Sequence, residues 1–423
     1  KQVNTPFDVF TCLLVIKKFK TYQITNHREM RFIFTFILLV FISFKTQAQT
    51  THIVDNNDNG IGDFSSISSA ISAASSGDIL LLVPSVKSYG DVSFTSSGKK
   101  LTIAGGGFNG GDAVTTLLGS ISLNGGSSGN TNLDGFVLGG FVCKSIDVNF
   151  VDSVKIKAVR TTEAISGSTA HIRVRNSEGA ELEYFSSGSS QFSSTNGLKV
   201  FHGKVHEPTG ASVLDIASTV NYVISNSIFS TGTTQTNGTN WINIDDDSEG
   251  SLVQNVIYIY NNQVARTAAF GAKTSLSNNI IHRASNSGVS AGAFTINGGQ
   301  SYQNNSFFTV HSSFANSTSG GVLTIAAEAD EDGNILSNTT IDGNTFRLAD
   351  GSTGIDTGSG NDIDGTLADR GVYGGLDPMP AELANNAVGV SVVPTISKLR
   401  LSQPTAVTGG KVILKVTGKA KKN

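Results

Sequence analysis

Three short stretches of the chain place basic side chains at every second position. VKIK (154–157) sets Lys155 and Lys157 against Val154 and Ile156. HIRVR (171–175) sets Arg173 and Arg175 against Ile172 and Val174, and LKVFHGK (198–204) adds Lys199 and Lys204. Successive side chains of a strand leave opposite faces, so the apolar set turns inward and the basic set outward. Lys155 and Arg173 are 18 residues apart, and Arg173 and Lys199 are 26 apart. Strands stacked at such a period predict one outward ladder of positive charge. Like charges on neighbouring strands repel, and an anion laid along them would relieve that cost. Two chemistries suit such a face. One is binding of a uronic-acid polysaccharide such as pectate or alginate. The other is a lyase reaction, in which a base takes the proton α to a carboxylate while a cation neutralises that carboxylate. The plain alternative is a solvated face balanced by Glu181 and Glu183 of ELEYF (181–185).

Other candidates are more isolated. Trp241, the single Trp, alternates with Ile242 and Ile244, which predicts an outward ring that a sugar could stack on. Asp245, Asp246 and Asp247 follow directly; they form either a solvated turn or a Ca²⁺ site beside an acidic sugar. No other cofactor is called for. His202 and His206 lack the Glu and the helix of a metalloprotease motif. DNNDNG (55–60) begins like a calcium loop, but Ser66 stands where the twelfth-position Glu should be, so a tight turn is expected.

The elements that would position these residues recur along the chain. VQN (253–255), LSN (276–278), YQN (302–304) and LSN (336–338) each precede a short apolar or β-branched tract. Between them run VLDI (213–216), INI (242–244), AFTIN (293–297) and VLTIA (322–326). Short strands at a loose period of about 20–30 residues, separated by Asn, Gly and Ser, are the signature of stacked coils. Asn255, Asn278, Asn304 and Asn338 would take left-handed turns, and stacked amides would form a ladder. TGTTQTNGTN (231–240) and NSTSGG (316–321) read as loops leaving the stack. A β-sandwich would show shorter, more even hairpin spacing.

Composition agrees with an all-β chain. Charged residues are only 15%, Gly numbers 47, and the apolar share is rich in Phe and branched side chains. Met30 and Arg31 precede FIFTFILLVFISF (32–44) and a small residue, Ala48. That is the pattern of a secretory signal peptide, and the apolar run is too short to span a bilayer. Residues 1–29 then read as upstream sequence, and 30–48 as the signal. Cleavage after Ala48 leaves 23 basic and 31 acidic side chains, a net charge of −8. Such a charge argues against nucleic acid as a partner. Only Cys143 follows the signal, so no disulfide forms within the mature chain.

A stack of coils exposes strand edges at its ends and needs caps. In GDFSSISSAISAASSGDILLLVP (62–84), Phe64, Ile67, Ala70, Ile71 and Ala74 recur at helical spacing. Asp63 or Ser65 would cap the helix and Gly77 would end it, leading through Asp78 into the strand ILLLV. This stretch resembles the start of many secreted bacterial right-handed β-helix proteins of the pectin-lyase-like fold. KKLTIAGGG (99–107) is similar to the strand that follows in that family. DIDGTLADRGVYGGLDP (362–378) is similar to the Asp/Gly-rich segment that closes many members, and 394–423 to a strand-rich tail found on some.

The resemblance implies a right-handed parallel β-helix solenoid with a short N-terminal capping helix and a small β-rich C-terminal tail. Its parts would be an N-terminal strand and cap helix (49–78), the solenoid (79–380) and the tail (381–423). That family spans lyases, hydrolases, esterases and members of no known activity, so it leaves the reaction open. The polygalacturonase, pectinesterase and pectate lyase signatures are all missing from this sequence. The expectation is a secreted, monomeric protein at the cell surface or outside it that binds a polysaccharide or other glycan without catalysis. A lyase or glycoside hydrolase acting on uronic-acid polysaccharide and a structural adhesin are the alternatives.

Overall fold

The computed structural model describes residues 49–58, 61–107, 116–207, 212–231, 242–244, 251–260, 268–270, 274–283, 294–296, 302–308, 332–335, 341–342, 345–380, 399–401 and 414–416. The chain divides into two units, Lys1–Gln49 and Thr50–Asn423, and the second carries the architecture below. The signal-like segment, Asn338 and the loops at 232–240 and 316–321 lie outside the described residues.

The second unit is a right-handed parallel β-helix. Its chain alternates between two sheets, one of fifteen strands and one of nine, and every pairing within both is parallel. The first sheet runs from Thr51–Val54 and Ile79–Leu82 through Lys155–Thr161, Glu181–Ser187 and Lys199–Glu207. The second includes Ile146–Asn149, Ile172–Arg175, Ser190–Ser193, Leu214–Ala217 and Ile242–Ile244. Alternation decides the inside. Ile146, Val148, Ile156, Ile172, Val174, Leu182, Val200 and Ile216 are fully buried between the sheets, while their sequence neighbours face outward.

On the first sheet every rung bends at one corner, and the corner residue is left-handed. Gly140, Ala158, Tyr184, His202, Asn226, Asn255, Asn278 and Asn304 occupy it, all with φ between 45° and 75°. The three Asn of the repeated motif within the described residues therefore sit where the motif places them. The amide ladder, however, forms one residue later. Asn279 Nδ2 donates to Asn305 Oδ1 at 3.0 Å, and Asn305 Nδ2 donates to Asn334 Oδ1 at 3.0 Å. All three are fully buried. The corner Asn side chains turn the other way. Asn226 and Asn255 donate to the Gly374 carbonyl, and Asn278 exchanges hydrogen bonds with the backbone of Ser359.

Those partners belong to a C-terminal strap, residues 345–380, laid over the outer side of the first sheet. Phe346, Val372 and Met379 pack on Ile228, Ile257 and Ile280, outward positions that would otherwise be wet. Arg370, almost wholly buried, fixes the strap: its guanidinium donates to the carbonyls of Asn305, Gly333 and Thr357 at 2.8–3.0 Å. The Asp/Gly-rich segment thus closes a flank of the stack. Beyond it, Leu399–Leu401 pairs antiparallel with Leu414–Val416 as a separate two-stranded sheet.

At the other end the capping helix spans Ile67–Ala73, burying Ile67 and Ala70 against the first rung. Ser66, rather than Asp63 or Ser65, is its N-cap: Ser66 Oγ accepts from the Ser69 N–H at 3.2 Å. Asp63 instead accepts from the Ile53 N–H. The helix ends at Ala74, and Gly77 takes its positive φ in the following turn. Asp78 ties the start together. One carboxylate oxygen accepts from the Thr50 N–H at 2.9 Å; the other accepts from the Ser75 N–H at 2.7 Å and meets His52 Nε2 at 3.1 Å. Burial pushes this carboxyl up, but the donors outweigh it and hold it below its ordinary value. Its stabilising contribution is therefore complete above the ordinary carboxylate range and is lost as pH falls through the depressed value. Asp78→Ala should cost about 2–4 kcal/mol at neutral pH by stranding buried donors. Chemical denaturation across pH checks this: the gap from the unmodified protein should close in acid.

Candidate functional site

The outward face of the second sheet carries a continuous polar strip. Asp147, Arg173, Gln191, Asp215 and Asn243 occupy one pairing column, one residue per rung, with rungs about 4.8 Å apart. Arg173 holds Asp147 in a two-pronged contact, Nε to Oδ1 at 3.0 Å and Nη2 to Oδ2 at 2.6 Å. Hydrogen bonding to Asp147 raises the Arg173 pKa further, so the pair stays ionised. Arg175 Nη2 reaches the same carboxylate at 3.4 Å. Two rungs on, Asp215 accepts from Gln191 Nε2 at 3.0 Å and from Asn243 Nδ2 at 2.9 Å. Beside this column Asn176 Nδ2 donates to Asn149 Oδ1 at 2.8 Å. Two Arg balance two Asp, so the strip presents fixed donors and acceptors with little net charge.

The basic ladder expected from the sequence does not form. Lys155 and Lys199 are on the first sheet and Arg173 is on the second. Between Lys155 and Lys199 stands Glu181, paired in register with both. ELEYF is a rung of its own, so the column alternates in sign. Lys155 meets Glu181 at 3.3 Å, and Lys157 bridges Glu181 at 2.7 Å and Glu183 at 2.5 Å. Hydrogen bonds from Lys157 hold the Glu181 carboxyl below its ordinary value against the opposing effect of burial. The balanced, solvated face is what the geometry shows for Lys155 and Lys157, and exposed pairs of this kind add little stability.

Past the corner the outward column changes. Arg160, Ser186 and Lys204 are in register on three successive rungs. The left-handed Ala158 lies between Lys157 and Arg160, so both side chains face outward although they are three residues apart, and simple alternation hides Arg160. Burial and the Arg160 charge push the Lys204 amine down to about 8. Lys204 Nζ also lies 5.5 Å from the centre of the Phe346 ring on the strap.

The two histidines serve separate contacts. His202 is buried at the corner, stacks on the Tyr184 ring at 4.8 Å and donates from Nε2 to the Asp377 carbonyl at 3.0 Å. His206 Nδ1 lies 2.9 Å from Ser230 Oγ. DNNDNG is a turn in which Asp55 accepts from the N–H groups of Asn57 and Ile61. Trp241, Asp245, Asp246 and Asp247 lie outside the described residues; in sequence they flank Ile242–Ile244, the strand that carries Asn243 of the strip. Among the described residues no group of three or more His, Cys, Asp or Glu is placed to hold a metal ion. No helix there is long and apolar enough to cross a membrane.

No protein-family model matches this chain, and neither does any curated protein. Among solved structures, pectate lyase Pel9A is similar at 15% identity, covering 77% of this chain and 96% of that one, with a TM-score of 0.39. A variant of the PL6 family alginate lyase AlyGC is similar at 11% identity, covering 57% of this chain and 37% of that one, with a TM-score of 0.32. The class is defined here by the strand registers themselves: a parallel β-helix with a polar, charge-balanced outward strip.

The setting of Lys204 has a measurable consequence. Acylation of Lys204 followed by mass spectrometry should titrate at about 8, against the ordinary lysine value of 10.5. Arg160→Gln should move that midpoint upward by removing a like charge. A midpoint at the ordinary value in the unmodified protein would contradict the described burial.

Proposed function

We propose that this protein is a secreted, monomeric glycan-binding β-helix that holds an extended polysaccharide along the outward face of its second sheet, without catalysis. The observation that carries the reading is the strip itself. Asp147, Arg173, Gln191, Asp215 and Asn243 set hydrogen-bonding groups at one-rung intervals on a flat surface, each held by its neighbour. Paired carboxylate, guanidinium and amide groups suit adjacent sugar hydroxyls, and their mutual hydrogen bonds fix them before a ligand arrives. Trp241 would add a stacking ring next to the last described rung, and Asp245, Asp246 and Asp247 would add acceptors, or a Ca²⁺, beside it. The signal-like segment 30–48 and the net charge of −8 after it support an extracellular setting.

Glycan-array binding followed by calorimetry tests this. Asp147→Ala and Asp215→Ala should each weaken binding of the best neutral ligand about tenfold or more, at unchanged melting temperature within a few degrees. Equal affinity in both variants would reject the strip. Accumulation of unsaturated sugar products on pectate or alginate would replace binding by the lyase reading.

A further inference from the structure

The second sheet does not account for the column of Arg160, Ser186 and Lys204 on the first. There the two cations lie two rungs apart, about 10 Å along the stack, and Ser186 offers a hydroxyl on the same face between them. Among the described residues Arg160 has neither an ion pair nor a hydrogen bond, although its side chain is exposed and charged. The nearby carboxylates are engaged elsewhere. Glu183 is held by Lys157, and Asp377 reaches toward His202 Nε2 at 3.8 Å. The column sits where the strap ends. Phe346 is buried against the first sheet and its ring lies under Lys204, which thins the water around the ammonium and strengthens its field.

We propose that Arg160, Ser186 and Lys204 form a second binding site, separate from the strip, for an oxyanion carried on a sugar: the carboxylate of a uronic acid or a sulfate ester. Arg160 supplies a forked pair of donors, Lys204 a point charge and Ser186 a neutral donor between them. The like-charge strain that pushes the Lys204 amine down to about 8 is what a bound anion would relieve. Anion affinity should therefore be full while Lys204 is protonated and fall as pH rises through that range. The facing groups are Arg160 and Ser186 on the preceding rungs, Ile228 on the next, His202 and His206 on the same strand, and Phe346 on the strap. Arg160 stays charged throughout, so a loss above about pH 8 reports Lys204.

Calorimetric titration of the full chain with tri-galacturonate, a sulfated disaccharide, inorganic sulfate and a neutral trisaccharide decides the matter. The acidic sugars should bind, weaken about tenfold in Arg160→Gln and Lys204→Gln, and keep their affinity in Asp147→Ala. Their affinity should also fall between about pH 7 and about pH 9 in the unmodified protein. Unchanged affinity in Arg160→Gln, an exposed position whose change leaves the fold alone, would overturn the site, as would a flat pH profile. Inorganic sulfate binding as tightly as the sugar acids would assign the site to a free anion and overturn the sugar-borne ligand. The neutral trisaccharide and Asp147→Ala report on the strip independently, so either site can fail alone.

Discussion

Everything in this molecule depends on keeping successive rungs in register at the left-handed corner of the first sheet. A slip of one residue would turn a strand's apolar set outward and its polar set into the core. A left-handed residue at the same place in each rung prevents that, because only one point of each strand can make the bend. The conformation costs roughly 1–3 kcal/mol for a side chain with a Cβ. Here that cost is offset by what the corner residues contact. Tyr184 and His202 stack ring on ring. Asn226, Asn255 and Asn278 hand their amides to the strap. In the later rungs the buried ladder of Asn279, Asn305 and Asn334 supplies the backbone beside the corner with hydrogen bonds that an apolar residue could not.

The same constraint explains the accessories. The first rung would be an open template for other strands, and the helix Ile67–Ala73 with the Asp78 clamp closes it. The strap answers a different problem. On the rungs of Ile228, Ile257 and Ile280 the outer side of the first sheet is as apolar as the inside, and Val372, Phe346 and Met379 cover it. Arg370 is the pin: a buried guanidinium is tolerable because backbone carbonyls surround it. With one flank strapped, the outward faces left for ligands are the second sheet and the charged rungs of the first.

Much of this was legible in the residues. Helical spacing from Ile67 to Ala74 located the cap, and the recurring Asn at 255, 278 and 304 located corners. VLDI, INI and AFTIN predicted strands that the second sheet contains. The functional faces were harder to read. Alternation says which side chains leave a strand, but it does not say which of two sheets the strand joins. Arg173 was therefore counted with Lys155 and Lys199, although its partner is Asp147. Arg160 was missed because the left-handed Ala158 breaks the period of two. The ladder moved from Asn278 to Asn279 for a related reason: at a bend, adjacent residues point to opposite sides of the wall. Asp147 and Asp215 went unremarked, since each is a lone acid in its strand and gains meaning only from the rungs on either side.

The charge pattern that results separates two surfaces by chemistry. The strip is neutral and self-hydrogen-bonded, a surface for hydroxyls, whereas Arg160 and Lys204 concentrate positive charge beside an apolar wall. A chain of −8 net charge that keeps such a spot has its field arranged locally rather than in bulk. The most direct measurement is a crystal structure of the protein soaked with the best oligosaccharide from an array. The account predicts sugar density running across successive rungs of the second sheet, with ring hydroxyls on Asp147, Arg173 and Asp215. Ordered sugar elsewhere, with these three side chains unmoved and bare, would contradict it.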